Sequence, residues 1–393
     1  MDCAAFRAAA LLAVLLLPLA GSEVGFSAPR VVPGWGSWRT TTTPVLSGTY
    51  GIAGDPCVVR TPGGLRMLLS AFDPAKTPQG PVVCAATSND GLAWSYEASA
   101  DPLVPGRVTI TDSGMWYDTR ETPFALRLAD GSWQLWFTGY VDHGGFLASL
   151  PGAFGYARAD GDGAAFNAPL TAPVLTPASG LPDRDRLSSP SVVLADGVYH
   201  LVYAGWDLHA ATPTTLLSAT SSDGMHWTRA AAPLLAGITL PAYCTVGSLA
   251  EPELIRGPDG TWLLFFTATQ GARGHNIGMA TAPAPDGPWS ISPEPIIVPT
   301  AGRFDAREVV APSVLMEHGM IRLWYAGFNE ADTAIAIGYA ESAWPAVTPP
   351  GPAIPDGTST HSGCGLGSTS LITLALLALG LRQRQKNSPD HQR

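Results

Sequence analysis

Charge and cysteine are both scarce in this sequence, and each scarcity narrows what the chain can do. Of 393 residues only 14% are charged, and 22 Lys and Arg stand against 32 Asp and Glu for a formal net charge of -10. No basic run outside the extreme C-terminus could neutralise phosphates, so nucleic acid is not an expected partner. Five cysteines are too few for a framework of disulfides. Cys3 falls in the expected leader and Cys364 in the tail, which leaves Cys57, Cys84 and Cys244, an odd set that cannot all pair internally. Cys57 and Cys84 fall two strands apart in the reading below, beyond disulfide reach, so buried thiols are expected. What abounds is apolar and turn-forming: 46% hydrophobic residues, 43 Gly, 36 Pro and 12 Trp. That composition reads as many short strands joined by turns, an all-β chain with one large domain.

The two ends differ from the body. Arg7, an apolar stretch from Ala8 to Ala20, and then Gly21 and Ser22 have the order of a secretory signal, so residues 1–22 are read as a signal peptide and the protein as exported. The stretch is short of the roughly 20 apolar residues of a membrane span. At the other end, residues 343–362 form a Pro-, Gly-, Ser- and Thr-rich linker. Residues 363–393 hold Gly363-Cys364-Gly365, an apolar run from Leu371 to Leu381, and the basic Arg382, Arg384 and Lys386.

Between the ends one pattern recurs five times at 60 to 67 residues, a residue followed by Pro and an apolar run: Asp55-Pro56, Thr122-Pro123, Ser189-Pro190, Glu251-Pro252 and Ala311-Pro312. A second and a third strand follow each anchor. Four units then carry an Asp-Gly turn and an aromatic, as in Asp223-Gly224 with Trp227, because Gly takes positive φ at little cost. A fourth, outer strand is expected at Pro102 to Val104, Pro173 to Leu175, Pro233 to Leu235 and Pro295 to Ile297. The fifth unit lacks one, but the segment from Gly34 through Trp38 to Leu46 reproduces the signature ahead of the first unit. The expected fold is therefore a five-bladed β-propeller over residues 35–342, with four antiparallel strands per blade and the last blade closed by the N-terminal strand.

In such a ring the connections into each first strand, and between the second and third strands, share one face, and here they are the long ones. They carry most of the charge: Tyr117-Asp118-Thr119-Arg120-Glu121 echoes Phe304-Asp305-Ala306-Arg307-Glu308, and Asp183-Arg184-Asp185-Arg186 precedes the third unit. These groups suit either a site or ion pairs that pin neighbouring blades. Asp55 and Glu251 occupy the anchor position held elsewhere by Thr, Ser or Ala, and two carboxylates converging on the axis are what glycoside hydrolysis needs. Aromatics on the same loops, Trp116, Tyr117 and Trp206 among them, suit the C–H faces of sugars. The histidines show no metal-ligand spacing, so no metal site and no cofactor is expected, and a structural cation in the channel is left open.

The repeated Trp324 to Gly327, Ile337 to Ala340 and Ser222-Asp223-Gly224 with Trp227 resemble the five-bladed propeller glycosidases, the fold shared by glycoside hydrolase families 43, 32, 68, 117 and 130. By that resemblance Asp55 is the base or nucleophile and Glu251 the general acid. The third carboxylate of the family is expected near the third anchor, where Ser189 stands, with Asp185 or Asp118 as substitutes. Trp116, Tyr117, Arg120, Glu121, Trp206, Arg307 and Glu308 are the expected substrate contacts. The implied function is an exported, monomeric glycoside hydrolase acting on a carbohydrate. Two alternatives stay open: a non-catalytic surface propeller that binds glycan or protein, and a family 130-like phosphorylase using Arg120, Arg184 or Arg307 for phosphate. The tail resembles the myxobacterial C-terminal sorting signal, which implies cell-envelope or outer-surface display, membrane contact only through that segment, or release after processing near Cys364.

Overall fold

The computed structural model describes residues 24–344, apart from the short segments 49–50, 74–79, 102, 113–115, 141–151, 212, 245–248, 270–273 and 332. The expected signal peptide, the linker beyond residue 344 and the C-terminal segment lie outside the described residues. Among the described residues no helix is long and apolar enough to cross a membrane.

The chain opens with β1 (Arg30–Val32), β2 (Gly36–Thr40) and β3 (Leu46–Ser47). Blade one is β4 (Ala53–Thr61), β5 (Gly64–Asp73), β6 (Gly80–Ser88) and β7 (Ser95–Tyr96). A connector strand, β8 (Thr109–Asp112), leads to blade two: β9 (Thr119–Arg127), β10 (Trp133–Tyr140), β11 (Ala153–Ala159) and β12 (Ala165–Ala168). Blade three is β13 (Arg186–Ala195), β14 (Val198–Trp206), β15 (Thr214–Ser221) and β16 (Thr228–Arg229). Blade four is β17 (Leu249–Arg256), β18 (Trp262–Thr269), β19 (His275–Ala282) and β20 (Ser290–Ile291). Blade five is β21 (Glu308–Glu317), β22 (Met320–Phe328) and β23 (Ile335–Ala343).

β2 pairs antiparallel with β23, matching Thr40 to Ala340, so the N-terminal strand completes the last blade as expected. The first strands β4, β9, β13, β17 and β21 each touch the next around the ring, including β21 against β4. β10 and β19 are buried at every position, because each middle strand is covered on both faces by its own and the adjacent blade. Cys57, Cys84 and Cys244 are buried free thiols within this core.

The outer strands differ from expectation. The fourth strand of blades one to four follows directly on the Asp-Gly turn, at β7, β12, β16 and β20. The Pro-containing segments come later and only resume the ladder: Val174 N donates to Phe154 O at 2.8 Å, Leu234 N to Leu216 O at 2.9 Å, and Ile296 N to Ile277 O at 2.9 Å. Proline has no N–H to give, so the edge breaks at each proline and restarts beyond it. Two blades also gain strands, since β8 runs parallel to β12 and β1 lies outside β2.

All five anchors adopt the same unusual backbone. Asp55, Thr122, Ser189, Glu251 and Ala311 have φ of 47°, 49°, 55°, 49° and 51°, and the pairing with the second strand slips beside each one. A non-glycine residue in the left-handed region costs on the order of 1–2 kcal/mol. What offsets this is a ring of interblade hydrogen bonds. Thr122 N donates to Ser70 Oγ at 2.8 Å, and Ala311 N to Thr267 Oγ1 at 3.0 Å. Two residues beyond the anchor a second ring forms, in which a side chain accepts from the next blade's backbone: Ser191 from Leu254 N at 2.9 Å, Glu253 from Val314 N at 3.5 Å, and Ser313 from Val58 N at 2.9 Å, which closes blade five onto blade one. Cys57 Sγ plays the same part for Ala125 N at 3.2 Å.

Candidate active site

The bulge at each anchor aims its side chain at the axis. Asp55, Thr122, Ser189 and Glu251 form a neck between two cavities and line both. The lower one is lined by the five anchor prolines together with Phe124 and Glu253. The upper cavity, about 90 Å3, is several times what one water needs, roughly 10–15 Å3.

Three carboxyl groups line this upper cavity: Asp55 of blade one, Glu121 of blade two and Glu251 of blade four. Glu251 is 8% exposed, and its Oε2 accepts from Thr267 Oγ1 at 2.7 Å and from Ala311 N at 3.0 Å. Burial pushes its pKa up to about 7, and the charge of Asp55 adds to the rise, against the pull of Thr267, His275 and the Ala311 N–H. Glu121 sits one residue before its anchor, and Tyr140 Oη donates to its Oε1 at 2.5 Å. Burial lifts it to about 7 as well, again with Asp55 raising it, while the Tyr140 hydrogen bond and the charge of Arg186 oppose. Burial also holds Asp55 above its usual range, partly countered by a hydrogen bond from Ser70. Asp55 raises both glutamates, so the three titrate as a set and are not all ionised near neutral pH.

Next to the carboxyls, the Arg186 guanidinium carbon lies 4.4 Å from the centre of the Trp206 ring, and Trp206 Nε1 donates to Ser188 Oγ at 2.8 Å. Arg186 is the one cation among the described residues lining the cavity. The stack fixes a guanidinium beside Tyr140 and Glu121.

With this geometry in view, comparison with known proteins is informative about fold. No protein-family model matches the chain, and no curated protein sequence matches it. Solved structures do match. A complex of BT0996 with RGII superposes with a TM-score of 0.62 at 15% identity, over 84% of this protein and 96% of that one. A structure from the GH130 family of mannoside phosphorylases, which contains glycoside hydrolases that target β-1,2 mannosidic linkages in Candida mannan, gives 0.56 at 16% identity over 82% of this protein and 95% of that one. A thermostable family-43 glycoside hydrolase gives 0.57 at 14% identity over 79% and 98%. The chain has the fold of glycoside hydrolase propellers.

The structure sorts the expected residues into two groups. Asp55, Glu251, Glu121 and Trp206 line the upper cavity. Asp118, Asp185, Trp116, Tyr117, Arg120, Arg307 and Glu308 are not among its lining residues. Asp185 Oδ2 accepts from Leu208 N at 2.7 Å, so it tethers the loop that follows blade three's second strand. Asp118 is exposed. Trp116 and Tyr117 pack on each other at 5.1 Å and on blade two's core, and Arg120 lies over the Tyr117 ring at 5.7 Å. Glu308 is buried against His275 Nδ1 at 3.0 Å, with Arg307 Nε 3.5 Å from its other oxygen. The connector acids Asp183 and Asp305 take hydrogen bonds from Tyr203 and Tyr325 at 2.9 and 2.8 Å, a pinning role.

The two similar pentapeptides are therefore not equivalent. Glu121 is one residue before its proline anchor, while Glu308 is three before, so the two lie about 7 Å apart along equivalent strands. Sequence reasoning also missed Thr267, Ser70 and Arg186. The first two had a signal, a hydroxyl recurring 15 or 16 residues after the anchor at Ser70, Thr138 and Thr267.

Proposed function

We propose that the chain is an exported glycoside hydrolase, displayed at the cell envelope or outer surface by its C-terminal segment or released from it. The observation that carries the enzymatic reading is the meeting of Asp55, Glu121 and Glu251, from three different blades, in one axial cavity. Glu251 is the general acid. Both of its hydrogen bonds converge on Oε2, which leaves Oε1 to carry the proton to the glycosidic oxygen, and a pKa of about 7 keeps that proton available near neutrality. Asp55, across the neck, acts on the anomeric carbon as nucleophile or through an activated water. Glu121 takes the place of the third carboxylate that Ser189 cannot supply, and its charge tunes the other two.

Hydrolysis is preferred to phosphorolysis because Arg120, Arg184 and Arg307, the arginines considered for phosphate, do not line the cavity. Arg186 does line it, but it already faces Glu121 and Tyr140.

The test is a set of variants assayed on arabinan, xylan, fructan and mannoside substrates. Asp55→Asn and Glu121→Gln are expected to lose at least 100-fold in kcat/KM with folding intact, and Asp185→Asn to stay within about threefold. Activity unchanged in Asp55→Asn, or lost in Asp185→Asn alone, would discard the assignment.

A further inference from the structure

The upper cavity is two-sided. Blades two and three contribute Glu121, Thr122, Tyr140, Arg186, Ser188 and Trp206, each with a polar side-chain atom. Blades five and one contribute Ile52, Phe72, Val310, Ala326, Phe328 and Ile335, which have none. These six belong to one packed apolar cluster, and a β-bridge between Ile52 and Ile335 joins it across the blade boundary where the ring closes. Asp55 and Ser70, also from blade one, contribute the polar groups on that side, and Asp55 lies at the neck.

A hydroxyl pressed against the apolar wall would lose its water and find no partner. The unit that fills the cavity must therefore turn a C–H edge to blades five and one, and its hydroxyls to blades two and three. A flat sugar face stacks best on an aromatic plane. Four of the six wall residues are instead aliphatic, which suits a methyl group.

Building on the glycosidase reading, we propose that the buried subsite takes a 6-deoxy sugar, with its methyl against the wall around Ile52 and Ile335 and its ring hydroxyls toward Glu121, Tyr140 and Arg186. A uronate, which puts a carboxylate where the deoxy sugar has its methyl, would bury that charge against the apolar wall without a partner.

The test uses the full-length Glu251→Gln protein and calorimetric titration with methyl glycosides that differ only at C6: D-fucose, D-galactose and D-galacturonic acid in one series, L-rhamnose and L-mannose in another. In the series that binds, the deoxy member is expected to bind roughly 10- to 100-fold more tightly than the hexose, and galacturonide more weakly still. Adding Ile335→Thr, which shortens the side chain by one carbon and puts a hydroxyl on the wall, should narrow the deoxy preference roughly threefold or more while hexose binding is kept. Equal affinities, a preference for hexose or uronate, or no binding in either series overturns the proposal. Hydrolysis of the matching 4-nitrophenyl glycosides by the unaltered protein separates the two readings. Deoxy-selective binding without turnover keeps the subsite and removes the hydrolase. Turnover without deoxy preference does the reverse.

Discussion

Ala311 and Glu251 hold the same position in neighbouring blades, and the backbone N–H of the first donates to Oε2 of the second at 3.0 Å. The candidate acid is thus part of the clamp that holds blade five on blade four. Thr267 Oγ1 reaches the same oxygen at 2.7 Å, so the carboxyl has little freedom to turn. Strain at the anchor backbone, the interblade contact and the placement of the acid are one arrangement.

Thr267→Val removes one donor to that oxygen. A donor favours the ionised form, so its loss raises the pKa of Glu251. The alkaline limb of the pH–rate profile is expected to move up by about one unit, since a hydrogen bond to a charged group is worth roughly 1.5–3 kcal/mol and one unit about 1.4. An unmoved limb would mean that Glu251 is not the group reported by that limb.

For the unaltered protein the same profile has a defined shape. The acid must keep its proton, and its pKa is pushed up to about 7, so kcat/KM should fall tenfold per unit well above pH 7. Because Asp55, Glu121 and Glu251 are close, the measured values belong to the set of three. A profile flat from pH 6 to 9 would contradict protonation of Glu251 as a requirement.

Much of this was legible in the sequence, and the reason is locality. The Pro anchors and Asp-Gly turns are short-range devices, so the blade count, the N-terminal closing strand and the axial position of Asp55 and Glu251 could be read from spacing alone. Register was legible only through spacing. Glu121 and Glu308 sit in near-identical pentapeptides, and only their distance from Pro123 and Pro312 tells that one lines the cavity and the other is buried against His275. Asp185 had the right chemistry but lies outside the cavity lining, tied to the Leu208 backbone. The apolar wall had no sequence signal, because Ile52 and Ile335 meet only when the ring closes.

Glu253 offers a test of the architecture apart from catalysis. Burial pushes its pKa up to about 8, well above the 4.5 of a free glutamate, while hydrogen bonds from Val314 N and Ser191 oppose the shift. The folded state therefore binds this proton more tightly than the unfolded chain. Its contribution to stability is full below about pH 4.5 and is lost progressively as pH rises to about 8. Glu253→Gln keeps an acceptor for Val314 but cannot ionise. Its melting temperature should fall less than that of the unaltered protein between pH 5 and 8, and at pH 8 the variant should be more stable by on the order of a few kcal/mol. Parallel melting curves across that range would show that Glu253 is not held protonated.

The catalytic role of Glu251 is tested most directly by how its loss depends on the leaving group. Glu251→Gln should lower kcat/KM about 100- to 10,000-fold for glycosides with a poor, alkoxide-like leaving group, which need a proton to depart. The same variant should act nearly normally on 2,4-dinitrophenyl glycosides, whose leaving group departs unprotonated. An equal loss on both substrates, or no loss on either, would contradict Glu251 as the general acid.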